Sequence, residues 1–233
     1  MKLFNTMLAA VAMFLLVGCS DVLDYVPETA AVVAYGNTEA FFDSKIWEIM
    51  EKNKFFQKEI LPGLKEQFPC KELTDYSGKV AMWFEIEKGD PRPAGAVIIY
   101  DNDVAEDVFN RIRKAFQERG KIESVKKDDC EGFELYSGTR VEFSMVLVSD
   151  NEIHVTIGDN ARIWNADGDS DIADEIDRES VVAIATNGKS WKSLFGADKF
   201  DFDVTSIGIA KLEAYLTSGE IKVNATVDIS DVD

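Results

Sequence analysis

The chain has one histidine, His154, and three cysteines in 233 residues. That scarcity removes a zinc site of the Cys/His type, which needs four such ligands at short spacing. His154 lies between Ile153 and Val155 on the polar side of an alternating run, the place of a satisfied or surface side chain and not of a catalytic base. No Gly-x-Ser-x-Gly elbow, Walker loop or Gly-x-Gly-x-x-Gly occurs in the sequence. Basic residues are also few: 25 Lys and Arg stand against 43 Asp and Glu, a formal net charge of -18. Nucleic-acid binding requires a basic footprint, so that class is excluded. Attraction to an anionic lipid surface by charge is excluded for the same reason. The acidity instead implies solubility through mutual repulsion.

Uncharged apolar runs are scarce as well, and the longest, Leu8 to Val17, falls short of the ~20 residues a membrane-spanning helix needs. Lys2 precedes it and Gly18-Cys19 follows, which is the layout of a signal peptide over residues 1–18. The small glycine gives a peptidase access to the backbone, and the Cys19 thiol is the nucleophile that would carry a thioether-linked diacylglycerol. Leu16-Val17-Gly18-Cys19 resembles the lipobox of bacterial lipoproteins. The resemblance implies lipidation at Cys19, which would become the first mature residue, and a membrane anchor that gains ~0.8 kcal/mol per buried methylene. It places the protein in the bacterial cell envelope, facing the periplasm or the cell surface. Ser20 in place of aspartate after the cysteine implies outer-membrane delivery.

Two further cysteines, Cys70 and Cys130, make a candidate disulfide in an oxidising compartment, with two independent thiols as the alternative.

Residues 19–28 read as a polar tether ending near Pro27. Ala30 to Ala34 reads as a small buried strand closed by Gly36-Asn37, and Thr38 as the cap of a helix with Phe42, Ile46, Ile49 and Met50 inward. A second helical piece carries Phe56, Ile60, Leu64 and Phe68, interrupted at Pro62-Gly63 and stopped at Pro69. Strands follow at Val80 to Ile86 and Ala96 to Tyr100, joined by the Gly89 to Pro93 loop. Asp103 with Glu106 resembles a capping box opening a helix with Val104, Val108, Ile112 and Phe116 inward. Then come β segments from Ile122 toward Tyr136, from Val141 to Val148 and from Glu152 to Ile157, with Asp150-Asn151 as a hairpin turn.

The opening pattern recurs. Glu28-Thr-Ala-Ala-Val-Val-Ala34 aligns with Glu179-Ser-Val-Val-Ala-Ile-Ala185, each followed by an apolar helical turn. Two strands joined at Ser218-Gly219 complete the second copy, although Ala210 to Leu216 is also compatible with a helix. The expected fold is α+β: a mostly antiparallel sheet with helices on one face, built from a duplicated β-α-β-β unit whose second copy is truncated. The units would span 29–164 and 179–233, joined by an acidic linker over 165–178. That linker offers Asn165, Asp167 and Asp169 at calcium-loop spacing. However, Ser170 replaces the required glycine and Ile176 the bidentate glutamate, so a solvated linker is the preferred reading.

The segment Val26-Pro27-Glu-Thr-Ala-Ala-Val-Val-Ala34 resembles the start of uncharacterised bacterial envelope lipoproteins that open Val/Ile-Pro-x-x-Ala, and implies no activity. No cofactor, metal or catalytic residue is indicated, and Glu85 between Phe84 and Ile86 is expected to face solvent. The reading is a lipid-anchored, non-catalytic binding or structural module that meets the membrane through Cys19 and another envelope protein through its surface. The alternative is an envelope hydrolase using acidic residues in a groove between the repeats.

Overall fold

The computed structural model describes residues 21–67, 72–101, 103–119, 122–127, 130–158, 168–195, 206–217 and 220–229. Ten strands follow one another: β1 Val32–Asn37, β2 Gly78–Glu87, β3 Asp90–Asp101, β4 Ile122–Lys127, β5 Cys130–Ser137, β6 Arg140–Ser149, β7 Glu152–Gly158, β8 Val182–Asn187, β9 Ile207–Thr217 and β10 Glu220–Ile229. They form one sheet in the order β10-β9-β8-β1-β2-β3-β7-β6-β5-β4. Each neighbouring pair is antiparallel. The fold is therefore α+β with a large antiparallel sheet, as the alternating runs implied. The segment after Ile207 resolves as strand, because Leu212 and Ala214 pair with both β8 and β10.

Strand alternation divides the side chains between two faces. On one, Val80, Ile98, Val155, Met145 and Phe133 lie opposite one another across five strands. The helix α4, Ala105–Arg119, packs on this row through Val108 and Phe109, both wholly buried. Phe109 and Phe116 tilt against Phe133, and Phe116 stacks on Phe143 at 4.8 Å between ring centres. The same face receives α1, Thr38–Phe42, and α6, Gly188–Phe195, whose Trp191 rests on Ile207 and Ala210.

The opposite face carries Val33, Tyr35, Ala81, Val97, Ala183 and Ala185. Two short segments cover it: the 3-10 turn Val22–Tyr25 and the short helix α5, Asp171–Asp174. Val22, Leu23, Val26, Ile172, Ala173 and Ile176 are all buried in this cluster. The segment expected as a tether and the described part of the expected linker are thus core. Their few aliphatics are diluted by acidic neighbours, which made both stretches read as solvated. Arg178 ties the two together, with Nε 3.1 Å from Asp21 Oδ2 and Nη2 3.3 Å from Asp24 Oδ1. The buried Glu213 carboxylate accepts the Asp177 N–H at 2.8 Å.

The duplication is visible in three dimensions. Asn37 caps α1 by accepting the Ala40 N–H at 3.0 Å, and Asn187 caps α6 by accepting the Ser190 N–H at 2.9 Å. Val22 and Val26 correspond to Ile172 and Ile176, and the turn at Glu28-Thr29 to that at Arg178-Glu179. This equivalence is one residue out of step with the sequence alignment, which matched Glu28 to Glu179. Ala34 then corresponds to Ile184, and these two pair with each other where β1 meets β8. A pseudo-twofold axis passes between them. The units join strand to strand along this seam, so continuous sheet stands where the alternative reading placed a groove. Beyond β3 the first unit continues into α4 and the meander β4 to β7, which returns to pair with β3.

Several local expectations change. Asn37, not Thr38, is the cap of α1. The helix breaks at Asp43-Ser44, and Ser44 caps a separate helix α2, Lys45–Lys52. The break resets the buried side, so Trp47 is inward and Ile49 lies outward at 61% exposure. Pro62-Gly63 does not interrupt α3, Leu61–Gln67; a π turn over Phe56–Ile60 leads into it, the Leu61 N–H reaching back to the Phe56 carbonyl. The β2–β3 connection is a two-residue turn, Lys88 and Gly89, both at positive φ (54° and 90°), because this twist matches the flanking strands. Ile122 to Tyr136 is a hairpin, β4 and β5, and not one running strand. Among the described residues, no helix is long and apolar enough to cross a membrane.

Candidate functional site

Two adjoining features on the α4 face are candidates for recognition. The first is a recess of about 290 Å³. Its geometry starts from Thr38, whose hydroxyl accepts the Gly78 N–H at 3.0 Å and lies 3.0 Å from the carbonyls of Tyr76 and Gly78, to one of which it donates. That contact holds α1 against the start of β2 and sets Phe42 over the sheet. Leu64 and Leu73 form further walls, and Val80, Ile98 and Tyr100 the floor. Tyr76, at the end of the 3-10 turn Leu73–Tyr76, meets Tyr100 edge-on at 5.5 Å. Behind it Arg111 of α4 donates to the buried Asp75 carboxylate at 3.1 Å, locking the turn to the helix.

The lining carries no carboxylate among the described residues. Burial, followed by the nearby Tyr76, pushes the Tyr100 hydroxyl up to about 12, so it stays neutral at physiological pH. The recess can hold an apolar group and offers no acid–base pair.

The second feature is the uncovered part of the same face. Ala225, Leu212, Ile184, Ala34, Met82, Ala96 and Ile157 follow one another across seven adjacent strands in register. Flanking rows add Val182, Val223 and Val227. Among the described residues, every large apolar side chain exposed on the strands belongs to this one face: Met82, Ile157, Val182, Ile184, Leu212, Ile221, Val223, Val227 and Ile229. Scattered exposed aliphatics are ordinary on a soluble protein, whereas a contiguous one-sided set marks an interaction surface.

The residues singled out from sequence lie elsewhere. Cys19, Cys70, Asn165 and Asp167 fall outside the described residues. Cys130 opens β5 with its sulfur 3.9 Å from the Val148 carbonyl oxygen. Asp169 is exposed, and Ser170 caps α5 by accepting the Ala173 N–H. No cluster of three or more metal-ligating side chains occurs among the described residues. His154 is on the face opposite the recess, 3% exposed, bonded to Glu152 and 3.2 Å from the Tyr25 hydroxyl. It is a hydrogen-bonded histidine, buried on the side of the strand that the alternation marked as polar because the Val22–Tyr25 turn covers that face. Glu85 faces solvent, as expected. The sequence showed the alternation that builds the apolar face but gave no sign of Thr38, Tyr76 and Tyr100 meeting, since their contacts span distant segments.

No family model and no curated protein matches this chain. Among solved structures it is similar to TP0453 in crystal form IV, at 13% identity and a TM-score of 0.50, covering 90% of this chain and 81% of that one. Crystal form III of TP0453 aligns at 12% identity and a TM-score of 0.49, covering 93% of this chain and 82% of that one. At such identity the likeness concerns the fold.

Proposed function

We propose that this protein is a lipid-anchored module of the bacterial envelope that binds another envelope protein through the apolar face of its sheet and catalyses no reaction. The observation that carries the reading is the one-sided array of exposed aliphatics spanning β10 to β7, beside an apolar recess. Burial of apolar surface is the dominant favourable term in protein association, at ~25 cal/mol per Å² removed from water. Cys19 supplies the anchor in this reading, because a chain with net charge -18 has no electrostatic hold on an anionic bilayer.

Two measurements test it. Changing Cys19→Ser in the full chain is expected to move the protein from the membrane fraction to the soluble fraction, and persistent membrane association would refute the anchor. A photo-crosslinking residue in place of Ile184, which is already half exposed, is expected to capture a partner protein in cells. The same residue at Glu85, away from the apolar row, is not. Equal capture at both positions, or capture at neither, would refute the binding face.

A further inference from the structure

β10 is an edge strand unlike the other edge of the sheet. The opposite edge, β4, is only six residues long and carries the exposed charge of Glu123, two of the means by which natural sheets discourage further pairing. β10 is ten residues long, is exposed along nearly all its length on both faces, and presents Ile221, Val223, Val227 and Ile229 to solvent. Among the described residues no element lies beyond it. Its alternation is unbroken, because the irregularity against β9 between Val227 and Ile229 places the extra residue on β9.

The order of residues along β10 is close to a chemical palindrome centred on Ala225: Ile-Lys-Val-Asn-Ala-Thr-Val-Asp-Ile. We propose that two copies of this chain pair through β10, antiparallel, about a twofold axis at Ala225, joining their sheets edge to edge. In that register Ile221 faces Ile229 of the second copy and Val223 faces Val227. On the other side of the sheet Asn224 faces Thr226, and Lys222 faces Asp228, once on each side of the axis. Opposite charges and matched aliphatics directly across an antiparallel pair are stabilising, and like charges are not. Alternatives lose these matches. Shifting the axis to Asn224 sets Glu220 against Asp228, and an odd slip sets aliphatics against polar groups. Parallel pairing in register stacks Lys222 on Lys222. A twofold contact is self-complementary by symmetry, which is the property this strand has and which pairing with an unrelated strand would not require. Pairing would also satisfy the outward backbone groups of β10 and continue the apolar face across the junction. The contact is made through the backbone edge of β10, whose aliphatics also form one end of the face assigned to an envelope partner.

The test uses the full chain in cells, with single cysteines added on β10 and the parent chain run beside them as the background for its native thiols. Oxidation of Ala225→Cys is expected to give a disulfide-linked dimer above that background. Lys222→Cys alone should not, because its counterpart lies six residues further along the second strand. The pair Lys222→Cys with Asp228→Cys should restore the dimer. On the Ala225→Cys chain, Lys222→Asp is expected to lower dimer yield about tenfold, and adding Asp228→Lys to recover it. All positions are exposed, and unchanged protease resistance of each variant confirms folding. Absence of an Ala225→Cys dimer, a Lys222→Cys dimer of equal yield, or failure of the charge exchange to recover it would overturn the proposal.

Discussion

Replacing Ile176 by alanine tests the claim that the acidic stretch between the two units is part of the core. Ile176 is 2% exposed and packs among Val22, Val26 and Ala183 beneath the β1–β8 seam. The truncation removes about three methylene equivalents at ~0.8 kcal/mol each. The cavity left behind adds to this, since the covering segment is held by Arg178 and Glu213 and collapses only in part. The expected loss is about 3 kcal/mol. For a chain of this size that is roughly a 6–12 °C fall in Tm. Thermal or urea unfolding followed by circular dichroism reads it directly. The control is Asp174→Ala in the same acidic stretch, which is exposed and should stay within about 0.5 kcal/mol of the parent. Val26→Ala, at the symmetry-related position, should lose stability comparably, less the one methylene by which valine is smaller. If Ile176→Ala melts with the parent, the stretch is a solvated linker and not part of the core.

Backbone approach at two glycines and the titration of one tyrosine give three further outcomes. At Gly78 a Cβ would sit 2.1 Å from the Ile99 carbonyl oxygen, and backbone cannot yield as a side chain can; Gly78→Ala should destabilise by about 3 kcal/mol. Gly63→Ala, in α3 with nothing within 4 Å, should instead stabilise by roughly 0.5–1 kcal/mol in the same denaturation assay. Tyr100 is held neutral by burial up to about 12 in the folded state, against 10.0 for an unperturbed tyrosine. The folded chain therefore binds more protons than the unfolded chain between these values, and stability present below pH 10 falls as pH rises toward 12. Tyr35 and Tyr215 are also raised, so ultraviolet titration of Tyr100→Phe should show one fewer late-ionising tyrosine than the parent; an unchanged number would refute the burial of Tyr100.

Much of the sheet is legible in the chain because strand period is a local property. The alternation in Val141 to Leu147 and the regular run from Ile221 to Ile229 appear as strands where the sequence places them, and Asp150-Asn151 as the turn between two of them. Alternation says that two faces exist and does not say which is covered. Val22, Val26, Ile172 and Ile176 are buried only because β1 and β8 pair over a long sequence separation and create the surface they cover. The recess has the same origin, since Thr38, Tyr76 and Tyr100 meet only after α1 docks on β2. The one-residue difference between the sequence match and the structural equivalence arises because small aliphatic residues align equally well in either register. Buried caps and turns admit one register alone.

By itself, then, the sequence determined the acidic character, the alternation of most strands and the recurrence of the opening pattern, all properties of neighbouring residues. Tertiary structure decided the strand order, the pseudo-twofold seam at Ala34 and Ile184, and which aliphatics remain in water. Those depend on which distant surfaces meet, and the free energy of that meeting belongs to no single segment.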